Sequence, residues 1–301
     1  MATPELRQLR YFLTVAEELR FSRAAERLRI SQQSLSQQIT AIERQLGVRL
    51  FDRDSRGTRL TAVGAAFVPE ARAVLDRAEQ ALATLQRARR GEVGSLRLAF
   101  LVTVANHVLP PVVRALRDQL PEVRISTDLT TIAVLVDGVR SGEYDAAFTR
   151  PPHVDGIASR TLAREPVCAV LPEGHRLAQH AELELRDLAE EAWVTTPPSS
   201  WPPWHRVFDN NFQEAGFTPY VVQTEPSIQN LLGLVAAGVG VTRLARSTRT
   251  LRGTGVVFVP LRNAEAETDV IWLPGNGNPV LPRLLDIVTA LAANLDLTES
   301  G

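Results

Sequence analysis

The sequence predicts an α/β multidomain chain, and three observations carry that reading. Two short helices joined by a tight turn occupy residues 22–46. A long helix with three-four apolar spacing follows, and from Ser95 onward strands alternate with helices.

The stretch 22–53 reads SRAAERLRISQQSLSQQITAIERQLGVRLFDR. Ser22 is a favourable N-cap for the first helix, which turns Ala24, Ala25 and Leu28 inward. Two small alanines let a second helix cross closely. Ile30 and Ser31 make the turn, and Ser31 caps the second helix, expected from about Gln32 to Leu46 with Gly47 as C-cap. Leu35, Ile39, Ile42 and Leu46 are spaced four, three and four apart and form one apolar stripe. The opposite face carries Gln33, Ser36, Gln37, Thr40 and Arg44. Gln offers a paired donor and acceptor to adenine, Ser serves base or phosphate, and Arg takes phosphate or guanine. Recognition helices read bases with their N-terminal residues, so Gln32, Gln33, Ser36 and Gln37 are the base-contact candidates. Helix geometry alone leaves a second reading open, an αα-hairpin with a merely solvated polar face.

Residues 48–50 form a short β-like run, DRDSRG a turn, and residues 58–60 a second run. This is a small hairpin wing carrying Arg49, Arg53, Arg56 and Arg59, suited to clamping flanking phosphates or entering a minor groove. The alternative is a charged loop that keeps the surface wet.

Together these segments resemble the DNA-binding domain of LysR-type transcriptional regulators. The resemblance rests on LRQLRYFLTVAEELRFSRAAERL, the SQQSLSQQI core, ERQLGVRLFDR and TRLTAVG, and it spans the first ~90 residues as one ordered motif. Gln33 stands where that family most often has Pro, which implies altered base preference with the fold retained. The resemblance makes Ser22, Ser31, Gln32, Gln33, Ser36, Gln37, Arg53 and Arg56 the expected DNA-binding set.

Composition agrees. A chain of 301 residues suits two or three domains. Its single Cys excludes an internal disulfide and points to a reducing cytoplasm. No signal peptide or membrane span is visible, so no membrane partner is expected. All 33 basic side chains are Arg, a feature of genome composition. Residues 1–90 hold 16 Arg against 10 acids, and residues 91–301 hold 17 against 24, so the net charges are +6 and −7. The basic part is drawn to a phosphate backbone and the acidic part is kept off it.

Residues 61–90 carry Val68, Ala71, Leu75, Ala78, Leu82 and Leu85 at a/d spacing, widened by Phe67, Val74 and Ala81. This predicts either a pairing seam between two chains or an amphipathic helix packed on its own chain. Two recognition helices must be held apart to read a two-fold site, which favours pairing, and the resembled family uses this segment as its linker helix. Gly91 and Gly94 are expected to end it and supply a hinge.

Downstream the expected elements are strands at 95–101, 124–129, 146–150, 167–172, 192–196, 220–222, 241–244, 256–260 and 269–273. Helices are expected at 108–120 (entered through Pro110 and Pro111), 132–141, about 204–215, 228–237 and about 280–294. This pattern implies parallel α/β layers with right-handed crossovers. The resemblance implies two lobes like periplasmic binding proteins, with the chain crossing near 162–167 and returning near 262–269. The expected domains are therefore a winged helix-turn-helix at 1–60, a linker and dimerisation helix at 61–90, and an effector-binding domain at 93–301. Lobe I takes about 95–162 and 268–301, and lobe II about 163–267.

In such folds a ligand sits at the carboxyl ends of strands and the N-termini of helices, which favour anions. By resemblance, Thr103, Thr131, Arg150, Ser200 and Ser227 fall near effector-contact positions. Hydroxyls with an Arg, beside Trp201, Trp204 and Phe208, suit a small organic carboxylate. The run from PPSSWPPW to LLGLVAAGVGV is similar to the aromatic-catabolism subgroup that senses muconate-like diacids. Arg243 departs from the apolar pattern there and reads as a new carboxylate partner or an inter-lobe ion pair.

No catalytic constellation is visible. The five His residues, 107, 153, 175, 180 and 205, form no HExxH or Cys/His spacing, and there is no G-x-S-x-G elbow. Gly238 and Gly240 follow a helix and make no dinucleotide fingerprint. The chain is thus expected to be no enzyme and to need no cofactor beyond its effector. The resemblance implies a cytoplasmic homodimer or homotetramer that binds double-stranded DNA, responds to a small effector and meets RNA polymerase. The competing reading is a stand-alone small-molecule binder whose residues 1–90 serve only as an oligomerisation stalk.

Overall fold

The computed structural model describes residues 3–54, 57–251 and 254–294. The chain forms two compact units, 1–87 and 88–301.

The first unit opens with α1 (Leu6–Glu18), α2 (Phe21–Leu28) and α3 (Gln32–Leu46). α3 has the bounds that its local signals dictate. Ser31 Oγ accepts from Ser34 N at 3.1 Å, and Gly47 ends the helix at φ 71°. Leu35, Ile39 and Ile42 are fully buried and contribute roughly 1.5–3 kcal/mol each against exposure. Phe12 sits beneath them, with ring centroids 5.5 Å from Phe51 and 5.1 Å from Phe67. α2 begins two residues earlier than its sequence suggests. Arg20 occupies the N-cap position, and Ser22 lies inside the first turn. Burial of Phe21 in this core draws the helix back past Ser22.

The wing pairs β1 (Phe51–Asp54) with β2 (Gly57–Leu60) in antiparallel register. The first strand thus starts after residues 48–50, not at them. Leu50 and Phe51 are both core residues, and Glu43 holds both of their backbone N–H groups, which shifts pairing three residues downstream.

α4 (Ala62–Arg89) is one 28-residue helix that accommodates Pro69. Its apolar seam divides into two parts. Phe67, Val68, Ala71 and Leu75 pack on the helical core of their own unit. Leu82 and Leu85 are 61 % and 66 % exposed. The first half of the expected pairing seam is therefore consumed within the chain, which is why the compact unit runs to residue 87 and does not stop at 60. Gly91 ends the helix at φ 69°, but it is buried. A Cβ there would collide with the Pro279 carbonyl oxygen, so this position within the second unit requires glycine.

In the second unit β3 (Gly94–Leu101) runs parallel to β4 (Val123–Thr130) and β5 (Ala146–Thr149). Two long strands, β6 (Ala158–Pro172) and β10 (Val256–Trp272), pair antiparallel and carry the chain between the lobes. The six-stranded order is β4-β3-β5-β10-β6-β9, with β9 at Thr242–Ala245. A separate parallel pair joins β7 (Ala192–Thr195) and β8 (Tyr220–Thr224). The sheet is thus mixed where an all-parallel one was expected. β6 leaves the first lobe for the second and β10 runs back the opposite way, so the two crossing strands pair antiparallel. β10 was expected as two strands because its middle, 261–268, is polar. A register shift between Pro260 and Glu265 absorbs that stretch, and the Arg262 and Leu183 backbones close the ladder there.

α5 (Val102–Gln119) starts directly after β3, six residues before the expected start, with Pro110 and Pro111 inside it. Val104, Val108, Val112 and Leu116 are fully buried at four-residue spacing, and that burial outweighs the backbone bonds lost at the prolines. The remaining helices are α6 (Ile132–Ser141), α7 (Pro202–Glu214), α8 (Ile228–Ala236) and α9 (Leu281–Asn294). Lobe I has a core of Leu98, Phe100, Phe148, Val270 and Leu284, where Phe100 and Phe148 stack at 4.6 Å. Lobe II has a core around Trp193, Phe208 and Phe212.

Candidate nucleic-acid interface and effector cleft

On the first unit, the face of α3 away from the core is a shallow groove. Gln32, Gln33, Ser36, Gln37, Thr40, Ala41 and Arg44 line it. Gln32, Gln33 and Gln37 are exposed and Ser36 is half-buried. Their amides therefore stand in solvent, outside the core. Arg53 Nη1 donates to Ser36 Oγ at 2.7 Å, and its guanidinium carbon lies 4.2 Å from the Phe21 ring centroid. This sets the wing cation beside the polar face. Ser22 is exposed in the first turn of α2, and Ser31 spends its hydroxyl on its own helix. Arg56 lies outside the described residues.

Sequence reasoning missed Glu43. Its Oε1 accepts from Leu50 N at 2.8 Å and from Phe51 N at 3.1 Å, locking the wing to the recognition helix. A lone carboxylate beside the apolar stripe of α3 was the available signal.

In the second unit the expected effector residues occupy helix starts. Thr103 is half-buried in the first turn of α5, and Thr131 is the exposed N-cap residue of α6. Ser200 ends a 3-10 turn, Pro198–Ser200, just before α7. Ser227 caps α8, its Oγ accepting from Asn230 N at 3.4 Å. Trp201, Leu101 and Ile132 pack on one cluster with Ala147 and Ile271, which brings the Thr103, Thr131 and Ser200 segments together. α8, which Ser227 caps, packs in a different cluster with Val170 and Val194.

Arg150 is 9 % exposed and sits inside a polar knot. Its Nη2 donates to Glu165 Oε1 at 2.7 Å and to Ser247 Oγ at 3.3 Å, while Nη1 donates to the Glu267 carbonyl at 3.2 Å. Its charge is met within the protein.

Arg243 makes no ion pair among the described residues. It stacks 3.6 Å from the Phe208 ring centroid, donates to Asn211 Oδ1 at 2.9 Å, and burial pulls its pKa down to about 10. Of its two expected readings, the inter-lobe ion pair is absent among the described residues. Burial also keeps the His205 imidazole below its ordinary value; its Nε2 lies 3.2 Å from Thr196 Oγ1. The Cys168 thiol, buried on β6, is pushed up to about 11. Among the described residues no group of acids, His and Cys is arranged to hold a metal, and no helix is long and apolar enough to cross a membrane.

Residues 6–65 match the bacterial regulatory helix-turn-helix protein of the lysR family, and residues 89–293 match the LysR substrate binding domain. The chain is similar to the HTH-type transcriptional regulator AlsR of Bacillus subtilis (strain 168), 32 % identical over 99 % of both chains. ShiR of Corynebacterium glutamicum (strain R) is 36 % identical, covering 94 % of this chain and 97 % of its own. Among solved structures, full-length CbnR complexed with its target DNA superposes with a TM-score of 0.75 at 28 % identity, covering 96 % of this chain and all of that one. Both units thus match one family, and the chain belongs to the LysR family of DNA-binding transcriptional regulators.

Proposed function

We propose that this regulator switches its DNA geometry in response to a small organic carboxylate held between the two lobes of its second unit. The carrying observation is the placement of Thr103, Thr131, Ser200 and Ser227, four hydroxyl residues at the starts of α5, α6, α7 and α8. Unpaired N–H groups and the helix dipole favour an anion at the starts of α5, α6 and α8, whereas α7 opens on Pro202 and Pro203 and contributes the Ser200 hydroxyl alone. Arg150 belongs to this machinery by tying β5 to the crossing strand β6 through Glu165. A ligand that prefers one lobe angle shifts the population toward it, whereas one with equal affinity for both angles shifts nothing.

On DNA, Gln32, Gln33, Ser36 and Gln37 read bases. Arg53, Arg56, Ser22 and Ser31 serve the flanking backbone. The exposed Leu82 and Leu85 of α4 supply a seam for a second copy, and the working state is a homodimer assembled further into a homotetramer. A change in lobe angle alters the spacing of the reading heads and the DNA bend, and so the access of RNA polymerase. The protein acts in the cytoplasm, catalyses no reaction and needs no cofactor besides the effector. A thermal-shift screen of small carboxylates, followed by gel shift with each hit, tests the reading. Hits that move both the melting point and the mobility of the protein–DNA complex support it. Hits that stabilise the protein yet leave every complex unchanged reject it.

A further inference from the structure

We propose that the effector carries a hydrogen-bond donor, a hydroxyl or an ammonium, besides its carboxylate, and that Asp269 and Thr149 receive it. This rests on the effector reading above and adds the chemistry of the ligand's other end.

Strand register aligns four residues at the strand ends where the effector is proposed to sit. Leu101 pairs with Thr130, Phe100 with Phe148, and Thr149 with Asp269. Thr130, Leu101, Thr149 and Asp269 therefore stand in one row across β4, β3, β5 and β10. Ala147 and Ile271, two residues from Thr149 and Asp269, belong to the cluster on which Trp201 packs. Side chains alternate along strands, so Thr149 and Asp269 project to the Trp201 face, beside the starts of α5 and α6.

Both residues are buried, at 0 % and 3 % exposure. His153 Nε2 donates to Asp269 Oδ2 at 2.6 Å. Asp269 Oδ1 and Thr149 Oγ1 have no hydrogen-bond partner among the described residues. A buried carboxylate oxygen without a donor is costly, and a ligand that enters between the lobes gains by supplying one. The neighbouring cation cannot serve, because Arg150 is engaged by Glu165. A diacid would set its second carboxylate against Asp269 with that arginine already spent. An ammonium or hydroxyl would complete the set.

Strands stand roughly 4.8 Å apart, so the end of β3, where Thr103 begins α5, lies roughly 10 Å from Asp269. A hydrogen bond at each end leaves roughly 4 Å between carboxylate and donor, the span of a chain of about four carbons. The class is a short hydroxy- or amino-carboxylate.

Isothermal titration of the full-length protein with butyrate, 4-hydroxybutyrate, 4-aminobutyrate and succinate tests this. The hydroxyl- or ammonium-bearing acid should bind about tenfold or more tighter than butyrate, with succinate weakest. Which of the two donors wins identifies the donor. Asp269→Asn should weaken 4-aminobutyrate by about 10- to 100-fold and improve succinate, an inversion that simple loosening of the fold would not produce. Thr149→Val serves as second variant if Asp269→Asn fails to fold, and should weaken both donor-bearing acids relative to butyrate. Butyrate binding as tightly as the donor-bearing acids, an unchanged order in both variants, or no binding by any of the four would each overturn the donor inference. Binding that ignores Thr103→Val and Thr131→Val would instead overturn the cleft reading beneath it.

Discussion

The reading face of α3 and the strand crossing of the second unit handle polar groups in opposite ways. On α3, Gln32, Gln33 and Gln37 are left in solvent above a dry core of Leu35, Ile39 and Ile42. At the crossing, Arg150, Glu165, Thr149 and Asp269 are all buried, and two of their oxygens are unmet among the described residues. The first arrangement is a finished surface that costs the fold nothing to keep. The second buries a charge pair and leaves Asp269 Oδ1 and Thr149 Oγ1 without a partner among the described residues, a cost that the proposed ligand would relieve. On the proposed function, one part of the chain reads and the other responds.

That contrast can be broken most forcefully at Arg150. Removing its side chain strands Glu165, which is 2 % exposed, and should destabilise the second unit by about 3–5 kcal/mol while erasing the effector response. Chemical unfolding with a gel shift of the same variant checks both. An effector response equal to that of the parent protein would remove Arg150 from the switch.

A smaller effect is expected on the reading face. Gln37→Ala should lower the preference for the target site by about 1–3 kcal/mol and spare random duplex, whereas Arg53→Ala should weaken all sequences and reduce the salt slope by about 1. Equal losses on both DNAs for Gln37→Ala would mean that this face is only solvated. The free end of α4 supplies a further test. Leu82→Glu with Leu85→Glu should convert the assembly to smaller species in analytical ultracentrifugation, whereas Leu75→Glu, at a packed position, should unfold the first unit. Unchanged sedimentation of the double variant would place the seam elsewhere.

The difference between the two regions also explains what could be read from the residues alone. The bounds of α3 follow from Ser31, Gly47 and a four-three-four apolar spacing, all within one helix. The polar face follows by subtraction. The crossing could not be read that way. Thr149 meets Asp269 only because β5 and β10 pair, and the polar middle of β10 hides a continuous strand. Pro110 and Pro111 argue locally for a late start to α5, and burial of Val104 and Val108 overrides them. Likewise Phe21 draws α2 past Ser22. Arg150 was legible as a charge at a strand end, but its partner Glu165 was not, because only the fold makes them neighbours.

The mildest expected effect concerns Cys168. Burial pushes its thiol up to about 11, above the ordinary thiol range, so the neutral form dominates throughout the physiological range. Alkylation at pH 8 should run about a hundredfold slower in the folded chain than in denaturant, since only the thiolate reacts. Equal rates would show that β6 opens readily.

The account depends most on the first unit reading sequence, and competition binding tests that directly. The purified full-length protein, in moderate salt, is offered the DNA upstream of its own coding region against a scrambled duplex of equal length and composition. The account predicts that the scrambled duplex competes at least a hundredfold less well, and that Gln37→Ala narrows the gap. Equal competition by the two duplexes would contradict it.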